Sequence, residues 1–424
     1  MRTNRRNFIS TSLAGGLAAT IPGIACASIK TEESDGIKER YAILDKVLNQ
    51  PVLKRDLFPT PVIIESLELL RLNNNFLCRV RSKDGAVGIS VPNDSQMRSL
   101  YPVFTNRLQS YFKGKDARDL EKLLEGVYVY QSNYKMQSLA LWVPLASIEF
   151  AILDMLGHIS GKSIGELIGE IHNKKIPIYD ANGEREITPE QTIEHLKQQV
   201  EATNSKALKF KVGGRMSNNY EEPRGRSEAL IPLVRKTFGD DMVVYADSNG
   251  SYTADEAIRI GKMMEEYKFD FYEEPVPFDW YEETKEVTDS LTIPIAGGEQ
   301  EPSLHSFRWL IAHDALDIVQ PDMFYFGGMV RSMKVAKMAH AFKKQCTPHI
   351  SDGLGYLYMM HFVSAIPNAG PYHEFKGFNK RLPFTCNTSP LTSEDGVITV
   401  PNGPGLGIDI DPAYIAKHEV VKVD

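Results

Sequence analysis

The feature that most restricts the fold is a rhythm. Between residues 175 and 380, short apolar runs end near Asp180, Lys211, Asp247, Glu273, Glu299, Gln320, His349 and Glu374, and helical patterns fill most of the gaps between them. A helix after each strand carries the chain back to the edge it left, so successive strands run parallel. A chain that repeats the unit this often closes into a (β/α)₈ barrel. The competing topology is an open doubly wound sheet, but no Gly-x-Gly-x-x-Gly turn follows the first strand to recommend it. Helix starts agree with the rhythm. Thr188-Pro189-Glu190-Gln191 and Thr253-Ala254-Asp255-Glu256 both have capping-box form, and Pro189 takes the first helical position.

Ahead of the barrel, residues 40–165 read as an α+β domain. Val62 to Val91 alternates like a small antiparallel sheet, with Asn73-Asn74-Asn75 and Lys83-Asp84-Gly85 as its turns. Helical patterns follow around 115–128 and from Leu139 to Leu156, and Trp142 to Gly169 reads as a buried helix closed by glycines. Beyond Lys380 the chain is rich in Pro, Gly and Thr with a short strand pattern at Gly396 to Val400; this segment, 381–424, is expected to return to the first domain. The fold class is therefore α/β, a TIM-type barrel over residues 175–380 with an α+β capping domain.

Residues 1–27 read as a leader: Arg2, Arg5 and Arg6, an apolar stretch from Leu13 to Ile24, then Ala25-Cys26-Ala27 as a small-residue cleavage site. The stretch is short for a membrane span. Asn4-Arg5-Arg6-Asn7-Phe8-Ile9 resembles a twin-arginine export signal, which points to a periplasmic address for a protein folded before transport. Lipid attachment through Cys26 is the lesser variant, because Gly23-Ile24-Ala25 poorly matches the residues that precede a lipidated cysteine. A formal charge of −7 gives no basic footprint for nucleic acid or an anionic membrane. Four scattered cysteines make neither a disulfide framework nor a zinc site, so a metal here would be held by oxygen or imidazole.

Asp247, Glu273 and Glu299 end three consecutive strands at equal spacings of 26 residues. One strand-plus-helix unit apart, they stand side by side at the C-terminal mouth, where barrels of this kind place their active sites. Acids at strand ends can simply cap the next helix, but three in register would repel one another without a cation. Hard oxygen ligands favour Mg²⁺. The preceding strand carries Lys209-Phe210-Lys211, and alternate residues share a face, so both ammonium groups point into the same mouth. On the far side Asp322 follows the sixth strand and His349 ends the seventh, close enough for the carboxylate to orient the imidazole. Glu374 at the eighth strand is a further donor or acceptor, although His373 beside it competes for the inward position.

This set resembles the enolase superfamily, in its mandelate racemase (mandelate racemase/muconate lactonizing enzyme-like) subgroup, from about Val62 onward. The likeness lies in Asp247 with Asn249, Glu273-Glu274-Pro275, Gly298-Glu299, Lys209-x-Lys211, the Asp322/His349 pair, and Ser147-Ile148-Glu149-Phe150-Ala151-Ile152-Leu153-Asp154 through Gly161-Lys162. The resemblance implies abstraction of the proton α to a carboxylate through an ene-diolate, with Mg²⁺ on the substrate carboxylate and a Lys or His base. It implies metal ligands Asp247, Glu273 and Glu299, catalytic Lys209, Lys211, Asp322, His349 and Glu374, and a substrate-binding Asn249. With Lys211 neutral, Mg²⁺ and Lys209 balance the three ligand carboxylates, so an anionic substrate meets a roughly neutral site.

The leading expectation is dehydration of a sugar acid by a lyase. Racemisation or epimerisation of a 2-hydroxy acid is the alternative, cycloisomerisation and an inactive exported binding protein come after it, and further copies of the chain are expected as partners. Two loops of the first domain, within Leu48 to Thr60 and near Pro92 to Gln96, are expected to close over the mouth. The loop from Gly213 to Arg226, with Arg215, Arg224 and Arg226, reads either as an anion contact or as a solvated segment.

Overall fold

The computed structural model describes residues 24–351, 354–375, 384, 386, 388 and 391–422. The chain divides into two units, Met1–Ala42 and Ile43–Asp424. The Arg5-Arg6 start and nearly all of the leader's apolar stretch lie outside the described residues. The first described element is helix α1 (Ile24–Leu48).

The first domain builds on an antiparallel meander, β1 (Ile64–Leu72), β2 (Asn75–Ser82) and β3 (Val87–Ser90). From Cys78 onward in β2, buried Cys78, Val80 and Ser82 alternate with partly exposed Arg79 and Arg81, the period of a half-buried strand. Helices α2 (Asp94–Val103), α3 (Gln109–Phe112), α4 (Leu120–Val129) and α5 (Leu139–Ser160) follow. The pattern expected from residue 115 starts as α4 only at Leu120, because Asp116 first closes a turn by accepting the Arg118 and Val62 amides. Every residue of α5 from Leu141 to Gly157 is buried. Among the described residues it is the one helix long and apolar enough to cross a membrane. The run to Gly169 breaks at Gly161, whose φ of 67° is left-handed, and resumes as α6 (Ile164–Ile168) behind a Ser163–Glu166 capping box.

The rhythm then becomes a barrel. Its strands are β4 (Lys175–Ala181), β5 (Ala207–Lys211), β6 (Val243–Asp247), β7 (Phe271–Glu273), β8 (Ile295–Gly297), β9 (Ile318–Val319), β10 (Gln345–Cys346) and β11 (His373–Phe375). Between them lie α7 (Pro189–Thr203), α8 (Arg226–Phe238), α9 (Ala254–Glu266), α10 (Tyr281–Ser290), α11 (Leu304–Ala312), α12 (Met329–Ala341) and α13 (Gly355–Ser364). Neighbours from β4 to β10 pair in parallel, β11 pairs with β4, and Cys346 bridges Ala369 just ahead of β11. The ring is closed.

Alternation sorts the side chains. Leu208, Phe210, Val244, Ala246, Tyr272 and Ile295 face outward into a core shared with Leu230, Val234 and Ile260 of the helices. Ala207, Tyr245, Phe271 and Ala296 face inward with Tyr179, and the Tyr245 and Phe271 rings stack 3.8 Å apart. This apolar floor leaves the last inward position of each strand free for polar groups. α7 has the expected capping box, but Thr253 does not cap α9: its hydroxyl and amide are taken by Asn219. The C-terminal segment is divided rather than returning whole to the first domain. Hairpin β12 (Ser393–Glu394)–β13 (Val397–Thr399) pairs with β4 of the barrel, and beyond α14 (Pro412–Ala416) strand β14 (Glu419–Val420) pairs with β1.

Candidate active site

The register of β5, β6 and β7 places Lys211 beside Asp247 and Asp247 beside Glu273, all on the inward face. Glu299 comes two residues past β8, carried round by Gly298 at φ 110°. A Cβ on Gly298 would meet the Phe307 ring at 2.5 Å, so both backbone and packing require glycine there. One oxygen from each of Asp247, Glu273 and Glu299 lies within 4.8 Å of the others, and all three residues are buried. Carboxylates this close repel by about 3 kcal/mol per pair even at an effective dielectric near 20.

The lysines supply countercharge. Lys209 Nζ donates to both oxygens of Glu273, at 2.8 and 2.9 Å, and lies 5.6 Å from the Tyr179 ring centroid. Lys211 Nζ donates to Asp247 Oδ2. Burial opposes the charge of Lys209, but Glu273 and Glu374 hold its pKa well above the ordinary value. Burial likewise works against ionised Asp247, yet Lys211, Lys209 and Arg185 keep its carboxyl below the usual range. At Glu273 burial prevails over Lys209, and with Asp247 and Glu299 it pushes the pKa up to about 7. A buried, all-oxygen, crowded donor set of this kind suits a hard divalent cation and Mg²⁺ in particular.

Across the triad, Asp322 Oδ1 accepts the Phe324 and Tyr325 amides at 2.8 and 2.9 Å, and Oδ2 lies 2.7 Å from His349 Nδ1. With Nδ1 donated to Asp322, Nε2 faces Glu299 Oε2 at 3.3 Å and Glu374 Oε2 at 3.8 Å. The competition at β11 is settled. Glu374 lies between Lys209, at 3.9 Å, and the Ile350 amide, at 3.0 Å, whereas His373 bonds Gly370 O and burial pushes its pKa down to about 4. Lys209, Lys211, Asp247, Glu273, Glu299, Asp322, His349 and Glu374 therefore converge on one mouth.

Asn249 is placed differently. Its Nδ2 donates to Glu274 Oε2 at 3.1 Å and its Oδ1 accepts from Arg185 Nη2 at 2.5 Å, so one N–H and one lone pair of the amide are engaged within the protein. Arg226 belongs to neither reading of its loop. It is 1% exposed and donates to Lys211 O, Ile187 O and Thr192 Oγ1. Both loops expected to close over the mouth make contacts with the rest of the protein. Lys54 N and Pro51 O are tied to Leu167 O and Lys337 Nζ, and Asn93 is fully buried as the cap of α2.

Two residues near the site escape a reading of the sequence. Gln320 donates to Glu273 Oε2 at 2.9 Å, and its place at the end of β9 was a usable signal. Arg185 carried none, because Glu184-Arg185-Glu186 looks like an ordinary solvated loop.

The model of the enolase C-terminal domain-like family matches residues 191–414. A D-galactarolactone cycloisomerase from Agrobacterium fabrum is 27% identical over 308 residues, covering 70% of this chain and 79% of the relative. A D-xylonate dehydratase from Haloferax volcanii is 26% identical over 329 residues, 74% and 78% of the two chains. Among solved structures, a protein provisionally assigned as a racemase from Roseobacter denitrificans superposes with a TM-score of 0.76 at 32% identity, covering 85% of this chain and 99% of that one. A mandelate racemase/muconate lactonizing protein from Paracoccus denitrificans, solved with magnesium, gives 0.77 at 24% identity over 86% and 100%.

Proposed function

Because the chain belongs to the enolase superfamily, in its mandelate racemase subgroup, we propose that it is a Mg²⁺-dependent lyase that dehydrates a sugar acid. One observation carries the reading: Lys211 and the Asp322-oriented His349 stand on opposite flanks of the carboxylate triad, since β5 borders one side of β6–β7–β8 and β9–β10 the other. Asp247, Glu273 and Glu299 hold the metal, which when bound fixes the substrate carboxylate and stabilises charge developing on it. Lys211, or His349, removes the proton from C2. The other of the two, with His349 Nδ1 fixed by Asp322, hands a proton to the departing C3 hydroxyl. Loss of water leaves an enol that becomes a 2-keto-3-deoxy acid. Lys209, held on Glu273, offsets ligand charge and stays protonated. Relatives that include D-xylonate, arabinonate and D-gluconate dehydratases support the substrate class.

Lys211 and His349 on opposite faces would also serve racemisation or epimerisation at C2, the second reading. Incubation with a sugar-acid panel in D₂O separates the possibilities. Dehydration yields a 2-keto-3-deoxy acid, racemisation yields an epimer with deuterium at C2, and formation of neither product from every acid would defeat both. In the His349→Asn variant, exchange that persists makes Lys211 the abstracting base, and exchange that vanishes makes it His349.

The proposed address is outside the cytoplasm, on the support of Arg5-Arg6 and the apolar stretch behind them. Replacing both arginines by lysine should leave precursor in the cytoplasmic fraction, and unchanged processing would refute the twin-arginine route. Self-association, the other proposed partnership, is read by sedimentation equilibrium, where a monomer at micromolar concentration would overturn it.

A further inference from the structure

Arg185 lies in the loop after β4, at the same end of the barrel as the triad. Its Nε donates to Gly214 O at 3.0 Å, in the loop after β5, and its Nη2 to Asn249 Oδ1 at 2.5 Å, in the loop after β6. Arginine only donates, so the Asn249 oxygen must face it and the amide nitrogen must face Glu274. Asn249 in turn donates its backbone N–H to Asp247 Oδ1 at 2.8 Å, which puts the guanidinium one residue away from a metal ligand. Asn249 and Glu274 both hold left-handed backbone conformations, φ 43° and 42°, a cost for glutamate that the surrounding bonds must offset.

The guanidinium of this clamp has no direct ion pair among the described residues. Both acceptors of Arg185 are neutral amide oxygens, and among the described residues no carboxylate lies within 4.0 Å of its guanidinium. Burial draws its pKa down, with Asp247 and Glu299 acting from a distance in the other direction. A half-buried guanidinium with spare N–H donors and no directly paired carboxylate is stabilised by an anion that presents paired oxygens. A neutral polyol end would leave that charge uncompensated.

Resting on the reading of the site as a sugar-acid dehydratase, we propose that Arg185 is a specificity-determining residue that binds a second carboxylate of the substrate, which makes the preferred substrate a sugar diacid. Gly214, Asn249 and Glu274 act as positioning residues that hold the fork in place.

The test is calorimetric titration of the Mg²⁺-loaded protein with matched pairs that differ only at the end remote from C1: D-glucarate against D-gluconate, and galactarate against D-galactonate. The wild type should bind the diacid of at least one pair more tightly, by on the order of 30-fold. Arg185→Met should bring that ratio close to one, and Arg185→Lys, which keeps the charge but loses the fork, should recover part of it. In turnover the effect should appear in KM for the diacid more than in kcat. A wild type that binds no diacid or prefers the monoacid, or a ratio that survives in folded Arg185→Met, overturns the assignment. The binding ratio needs no chemistry, so loss of the dehydratase reading, seen as no 2-keto-3-deoxy acid from any sugar acid, remains distinguishable from loss of this one.

Discussion

Asp322→Asn isolates the orienting role of the carboxylate without changing its shape. In the native site Oδ1 accepts two backbone amides, at 2.8 and 2.9 Å, and Oδ2 takes His349 Nδ1 at 2.7 Å. An asparagine must keep its only acceptor on the two backbone N–H groups, because its NH₂ cannot accept them. The NH₂ then faces Nδ1 and donates to it, which forces the ring proton onto Nε2. Two losses follow. The charge-assisted hydrogen bond to the imidazolium disappears, about 1.5–3 kcal/mol, and protonated His349 now sets N–H against N–H, adding an unsatisfied buried donor of about 1–3 kcal/mol. A combined loss of about 3–5 kcal/mol lowers kcat by about 10²- to 10⁴-fold. Initial rates of 2-keto-3-deoxy acid release measure it, with a circular dichroism melt to show that the variant is folded. A folded Asp322→Asn enzyme within tenfold of wild type would refute the orienting argument and with it the role of His349.

Three further predictions follow from particular contacts. Glu299→Gln removes one ligand charge from a site on the barrel mouth and leaves the apolar floor untouched, so Mg²⁺ affinity by calorimetry should fall at least tenfold with little change in melting temperature; unchanged affinity would remove Glu299 from the ligand set. Arg226→Met strands the buried carbonyls of Lys211 and Ile187 and should destabilise the protein by about 3 kcal/mol or more in denaturant titration, where a loss under 1 kcal/mol would contradict the clamp. Glu149, which accepts the first amides of α12, has a pKa pushed up by burial to about 8 from 4.5. Its folded form holds a proton that the unfolded chain has lost, so its contribution is complete below about pH 4.5 and drains away as pH rises through 8. Glu149→Gln should therefore lose less stability than wild type between pH 5 and 8, and identical pH profiles would show that Glu149 is ionised throughout.

What could be read from the sequence depended on how each contact is encoded. Asp247, Glu273 and Glu299 recur at one interval, and strand alternation assigns Lys209 and Lys211 to a face without knowledge of anything distant. Asp322 and His349 needed only the assumption that adjacent units bring adjacent strand ends together. Arg185 and Asn249 lie 64 residues apart and meet because the loops after β4 and β6 lean toward each other, which no local period records. Arg226 shows the same limit with the opposite outcome: its loop looks open and polar, yet three buried acceptors draw the side chain inward beneath Lys211. The failure of Thr253 as a cap has the same origin, since Asn219 reaches it from another loop and takes the hydroxyl a capping box would use. Alternation and repeat length fix what the barrel presents at its mouth. The braces between loops fix how tightly each group is aimed, and the orienting bonds at Asp322 and Asn249 are therefore where conservative substitutions should cost the most.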